Sequence, residues 1–189
     1  MNPVPPVLIR AVPVRALVIA VAATLLLMVA PAHATVLVLT DGTIAPQPYQ
    51  GWIDAALVPT PPGEITLSLD GCPGDPPMPA CSPTNEGMIQ LSPEWANRQV
   101  LLHEVGHVYD DLMPEWARER FRGIVAARPR LVWASTRSRN PLNEQFAEAY
   151  SLCARKLAIR KRAYMSYGYD PTPREHRRVC ALINSVGGE

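Results

Sequence analysis

The run His103-Glu104-Val105-Gly106-His107 sets two imidazoles and one carboxylate within five residues. On a helix, residues four apart lie about 40° apart around the axis, so both histidines leave the same face. Two neutral nitrogens at that spacing form a mount for a divalent metal ion, Zn²⁺ above all. Glu104 leaves the rim of that face. It can reach a water beside the ion there, and it suits a general base better than a third ligand. With four histidines in 189 residues, chance produces the pattern in roughly one such sequence in two hundred.

The flanks predict the helix that must carry these groups. Ser92-Pro93-Glu94 reads as an N-cap, a proline at the first helical position and an acid in the first turn, opening a helix from Pro93 to about Asp111. Trp95, Leu101, Leu102, Val105, Val108, Tyr109 and Leu112 fall on one stripe. His103 and His107 lie nearly opposite, in line with Ala96 and Val100. The plainer reading is an exposed helix whose histidines meet Asp110 and Asp111 one turn on. It leaves Glu104 without a task.

A catalytic zinc takes three protein ligands and keeps one position for water. The extension HExxHxxGxxH is absent, because Asp110 and Met113 stand where its glycine and third histidine would be. His33 falls in a segment expected to be removed, and His176 sits among Arg174, Arg177 and Arg178, which would repel a cation. The better candidates lie in Asn143-Glu144-Gln145-Phe146-Ala147-Glu148-Ala149-Tyr150, on a helix predicted from Pro141 to about Ile159. Leu142, Phe146, Tyr150, Cys153 and Leu157 form its apolar stripe. Glu144 and Glu148 lie opposite, beside Ser151 and Arg155, and taken alone they read as a solvated face.

Together, HEVGHVYDD and NEQFAEAY resemble the gluzincin metallopeptidases, in which an HExxH helix is followed by a helix bearing ExxxE or NExxxD. The motif is most similar to lethal-factor-type catalytic domains. The resemblance covers residues 103–111 and 143–150. It implies that His103, His107 and Glu144 bind one catalytic Zn²⁺, that Glu104 is the base, and that Glu148 orients a histidine ligand. It also implies a peptide or protein substrate and a small zincin-like α+β fold, with a short sheet packed on the HExxH helix and helices after it. One departure stands out. That family carries a tyrosine shortly before the third ligand to steady the oxyanion, and here the stretch is Arg137-Ser138-Arg139. Tyr164, Tyr167, Tyr169 and His176 are the alternative donors. Two rival readings use the same residues. One is a zinc amidase or hydrolase acting on cell-wall or other non-protein amides; the other is a zinc-stabilised binding module, which needs a fourth protein ligand.

The N-terminus bears on the compartment. Arg10 and Arg15 precede a largely apolar run from Ala16 to Ala30, and Ala32-His33-Ala34 fits a small-x-small cleavage site. The run is short for a membrane helix, which needs about 20 residues. Residues 1–34 are therefore read as a signal peptide and 35–189 as one exported domain without a stable membrane span. Export makes Cys72, Cys81, Cys153 and Cys180 disulfide partners, paired most simply as 72–81 and 153–180. A zinc site built from the four is disfavoured, since no CxxC pair exists. Residues 35–114 hold ten acids and one arginine, whereas 115–189 hold fifteen Lys/Arg against seven acids. This suits two layers with complementary surfaces, and no aromatic-interleaved basic motif points to nucleic acid.

The remaining elements follow from period and punctuation. Thr35–Thr40 and Glu64–Leu69 are predicted strands, with Gln50–Val58 a weaker third. The Pro-rich stretch from Asp70 to Gly87 reads as a stapled surface loop. Gly87–Leu91 reads as a short edge strand feeding the metal helix. Helices are predicted over roughly Glu115–Arg128 and from Thr172-Pro173 to about Val186.

Overall fold

Strand β1 (Thr35–Leu39) opens the architecture with a β-branched, apolar run whose Leu37 is fully buried. A short helix, α1 (Tyr49–Asp54), crosses over to β2 (Gly63–Ser68), which pairs with β1 in parallel from Thr35↔Gly63 to Leu39↔Leu67. Strand β4 (Met88–Leu91) pairs in parallel with β2 and antiparallel with the two-residue β3 (Ala80–Cys81). The sheet order is β1-β2-β4-β3. Four helices complete the fold: α2 (Arg98–Asp111), α3 (Glu115–Ile124), α4 (Leu142–Arg155) and α5 (Pro173–Val186). This computed structural model describes residues 35–73, 78–83, 86–125, 132–134 and 141–187. The signal-peptide reading of 1–34 and the Arg137-Ser138-Arg139 stretch lie outside them.

The α+β expectation holds, and several details change. Gln50–Val58 begins as helix because Gln50 serves the sheet through its side chain. Its amide accepts from Leu37 N (2.8 Å) and donates to Thr35 O (3.0 Å), so it satisfies the outer edge of β1 as a neighbouring strand would. β4 is an interior strand, and β3, from the stretch read as loop, holds the sheet edge. The Cys72–Cys81 disulfide fastens β3 into place. Ser92 opens only a 3-10 turn, Pro93–Trp95. Ala96 is extended, and α2 starts afresh from Asn97, whose side chain accepts from Gln99 N and Val100 N. At the far end, α4 stops at Arg155 because Lys156 turns to an extended conformation.

One core joins sheet and helices, with Leu37, Ile65, Leu67, Ile89 and Leu91 from the strands and Leu101, Leu102 and Val105 from α2. α2 meets the sheet at β3 and β4 and lies against α4 along much of its length. The helices are in tight contact at Gly106. A Cβ built there would stand 2.9 Å from Ala147 Cα and 3.1 Å from Tyr150 Cβ, so only hydrogen fits. Ser151 Oγ donates to Gln99 O (3.0 Å) across the same interface. Tyr109 Oη reaches α5 at Ile183 O (2.7 Å), and Cys153–Cys180 joins α4 to α5. Both expected disulfide pairings are present.

Gly106→Ala gains about 1 kcal/mol of helix propensity and loses about 1–3 to overpacking. Gly106→Val has no comparable gain and adds two more methyl groups at the crossing. It should cost about 3 kcal/mol, read as a fall of order 10 °C in Tm by calorimetry.

Candidate metal centre

The crossing at Gly106 brings the two motifs face to face. His103 and His107 leave α2 toward α4, and Glu144 and Glu148 leave α4 toward α2. His103 Nε2 stands 3.2 Å from Glu144 Oε2, and His107 Nε2 stands 3.5 Å from the same oxygen. His103 Nδ1 faces Glu148 Oε1 at 3.7 Å. The two imidazoles meet edge to face, with centroids 4.9 Å apart. Neither motif forms a solvated face. His103 is 8% exposed, Glu104 6% and Glu148 4%, so the exposed-helix reading fails.

The donor set fits a zinc ion. With nitrogen and oxygen ligands at about 2.0–2.1 Å, a tetrahedral zinc sets neighbouring donor atoms about 3.3–3.4 Å apart. The two imidazole–carboxylate separations, 3.2 and 3.5 Å, bracket that spacing, and all three donor atoms lie within 4.8 Å of one another. Two histidines and one carboxylate also match the ligand chemistry of catalytic zinc sites.

Charge reinforces the convergence. Burial works to raise the Glu144 carboxyl, but hydrogen bonds and charge from both imidazoles outweigh it and hold the pKa down to about 2. Burial likewise works against a charged His107, yet the hydrogen bond and charge of Glu144, with Glu104 and Asp110 behind, leave its proton affinity raised. Glu104 behaves oppositely. Burial pushes its carboxyl up, the histidines oppose this, and the Glu144 charge adds to the rise. An elevated carboxyl pKa suits a group that must take a proton and give it back.

A cleft of about 620 Å³ opens over these groups. One wall is Met78, Ala80, Cys81 and Ser82, from β3 and its flanks; the opposite wall contains Asp110, Arg118 and Trp133. Buried Asp110 accepts from Trp133 Nε1 through both oxygens (2.8 and 3.0 Å) and from Arg118 Nε (3.1 Å). Burial raises its carboxyl despite those two partners. Trp133 also packs edge-on against Phe121, with centroids 5.9 Å apart, and its carbonyl accepts from Asn143 N. The sequence reading left this wall unnoticed. Its only signal was a lone tryptophan in a basic stretch.

Of the four alternative donors, the fold brings one to the cleft. Tyr164 is 81% exposed and does not line it, Tyr169 is buried against Phe121, and His176 is buried beside the Cys153–Cys180 disulfide. Tyr167 lines the cleft with its ring centroid 5.6 Å from that of His103. It occupies the left-handed region (φ 54°), which disfavours a bulky side chain. Buried Tyr169 and the Met165 N to Tyr169 O bond (2.9 Å) close the turn that holds it there. Burial, then the charges of Glu144, Glu104 and Glu148, raises the Tyr167 phenol, keeping it a hydrogen-bond donor.

Comparison with protein-family models, curated proteins and solved structures finds no match to this chain.

Glu144→Ala should abolish tight zinc binding, whereas Glu148→Ala should weaken it by about 10- to 100-fold. Zinc content after gel filtration and titration against a fluorescent chelator measure both. The reverse order of effects would make Glu148 the ligand, and unchanged content in both would end the two-helix site.

Proposed function

We propose that this chain is a small exported zinc metallopeptidase of gluzincin type with a zincin-like fold. The observation that carries the reading is the placement of one Glu144 oxygen 3.2 and 3.5 Å from the Nε2 atoms of both HExxH histidines, with Glu148 behind His103. His103, His107 and Glu144 would hold the ion. Bound there, zinc supplies Lewis acidity, lowering the pKa of a water toward about 7 and polarising a carbonyl. Glu148 fixes the His103 ring by facing Nδ1. Glu104 accepts the proton of the attacking water on its carboxylate and passes it to the departing amine nitrogen. The phenol of Tyr167 donates to the substrate carbonyl oxygen as that oxygen gains charge.

An extended peptide has a natural berth in the cleft. β3 is the terminal strand of the sheet, and its Ala80 and Cys81 line the cleft with His103 and Glu104, so backbone pairing with β3 would lay a substrate strand across the site. The export half of the proposal is supported by the two disulfides, and no described helix is long and apolar enough to cross a membrane. A purely structural zinc module fits less well. Among the described residues the donor group has three members, not four, and the nearby carboxylate of Glu104 would have no use.

Glu104→Gln should retain zinc and lose at least about 10²-fold in turnover of a mixed peptide library, scored by mass spectrometry. Unchanged turnover would show that another group is the base. Tyr167→Phe preserves the ring against His103, so zinc content should hold while kcat falls about 10²-fold with little change in KM. A fall in zinc content instead would make Tyr167 a support for the metal ligands.

A further inference from the structure

Among the described residues, one histidine lies outside this centre, and it is 0% exposed. His176 lies on the buried face of α5 against the Cys153–Cys180 disulfide, while Arg174, Arg177 and Arg178, whose charge was expected to repel a cation here, are exposed to solvent that screens them. Its Nδ1 stands 3.9 Å from Cys153 Sγ and 3.8 Å from Cys180 Sγ. Its Nε2 is 3.5 Å from Cys180 Sγ and 2.5 Å from the carbonyl of Lys156. A carbonyl can only accept, so that short contact makes Nε2 the N–H and leaves the lone pair on Nδ1, which stands within 4 Å of both sulfurs though Cys180 Sγ lies over the ring and not along that lone pair. A disulfide has no proton to offer that lone pair and no charge to share with it. Two thiols, or two thiolates around a cation, have both.

The arrangement repeats the plan of the first centre. His176 and Cys180 stand four apart on α5, as His103 and His107 do on α2, and α4 supplies the third donor in each case: Cys153 here, Glu144 there. With Zn–S at about 2.3 Å and Zn–N at about 2.0–2.1 Å, tetrahedral geometry sets sulfur and nitrogen about 3.6 Å apart. The Nδ1–sulfur separations are a few tenths of an ångström longer, and the two sulfurs, bonded at 1.99 Å, must part to about 3.8 Å once reduced. The Lys156 carbonyl is the kind of partner that holds a metal-bound histidine in one tautomer.

We propose that Cys153, Cys180 and His176 form a latent Cys₂His site for a thiophilic divalent cation such as Zn²⁺, closed by the disulfide and opened by its reduction. A dithiol or phosphine reductant breaks the S–S bond and leaves a thiol on each cysteine. With a phosphine, water supplies the oxygen of the phosphine oxide and the two protons that end on sulfur. Cation binding then releases both protons to solvent, and Nδ1 completes the donor set. Either closure, covalent or metallic, ties α4 to α5. In the oxidised chain the disulfide restricts metal uptake to the first centre; in the reduced chain two centres compete for the ion.

The test is cobalt loading of the purified full chain, unfolded, reduced with a phosphine and refolded with Co²⁺ under phosphine, beside an oxidised control. The reduced chain should bind one more cobalt than the control and show the intense near-ultraviolet absorption of thiolate-to-cobalt charge transfer. Glu144→Ala, which lacks the first centre, should show that absorption at full strength when reduced and none when oxidised. Cys180→Ser should lose most of it, and His176→Ala should bind the extra cobalt at least ten-fold more weakly. The proposal is overturned if reduction adds no cobalt, if the reduced chain fails to refold around the ion, if the same absorption arises in denaturant, or if His176→Ala binds as tightly as its parent. The reduced-minus-oxidised difference is independent of the peptidase reading, which rests on Glu104 and Glu144.

Discussion

Everything in the candidate centre depends on how closely two helices approach. Gly106 stands between His103 and His107, and Ala147 between Glu144 and Glu148, and these two small residues touch where α2 crosses α4. An interior glycine costs a helix about 1 kcal/mol relative to alanine, so its presence needs a reason. Here the reason is geometric. A side chain at 106 would push the helices apart at the point where donor atoms must meet within about a third of an ångström of the zinc spacing. Packing on both sides then removes freedom from the crossing: β3 and β4 lie against α2, while α5 and the Cys153–Cys180 disulfide hold α4.

The sheet serves that crossing at both of its edges. On the outer side, Gln50 occupies the hydrogen-bonding groups of β1, and the turn from Leu39 to Ala45 folds back on them, Ala45 N bonding to Leu37 O. That edge is closed. On the inner side, β3 is only two residues long and is anchored by the Cys72–Cys81 disulfide, and its outer edge borders the cleft. A short stapled strand can be held in position without a core of its own. Among the described residues no strand lies beyond β3, and its two residues line the cleft with the acidic and imidazole groups.

What the sequence made legible was chemistry that is local in the chain. HExxH puts its two imidazoles on one helix face by period alone, as observed, and the cap-and-proline signature at Thr172-Pro173 placed α5 from Pro173 to Val186. Two neighbouring cysteine pairs were also enough for their connectivity. What stayed hidden depends on contacts distant in sequence. Gln50 could not declare that its side chain would replace a strand. β3 could not be told from loop, because it is two residues long and lies inside the Pro-rich stretch itself. Tyr167 could be separated from Tyr164 and Tyr169 only by knowing which of them the core buries and which turn the chain makes at a positive φ. Asp110 and Trp133 are 23 residues apart and reveal their pairing only in the fold.

The electrostatics of the cleft complete the physical case for a cation. Glu104, Asp110 and Glu148 are buried there, and Glu144 stands beside them partly covered. Arg118 offers one fixed positive charge, already committed to Asp110 through its Nε and to the Asp110 carbonyl through Nη2. One oxygen of Glu148 is buried with no hydrogen-bond partner. Its other oxygen faces His103 Nδ1, and the charge of Arg155 also acts on it. Protons can bring positive charge to this group of side chains, and the raised proton affinities of Glu104 and His107 show the site drawing them in. A dication held by the Nε2 atoms and Glu144 would bring two charges to the same group. Metal and proton then compete for the same imidazoles. Glu144, whose carboxyl is held down to about 2, presents either of them with a charged oxygen between both rings.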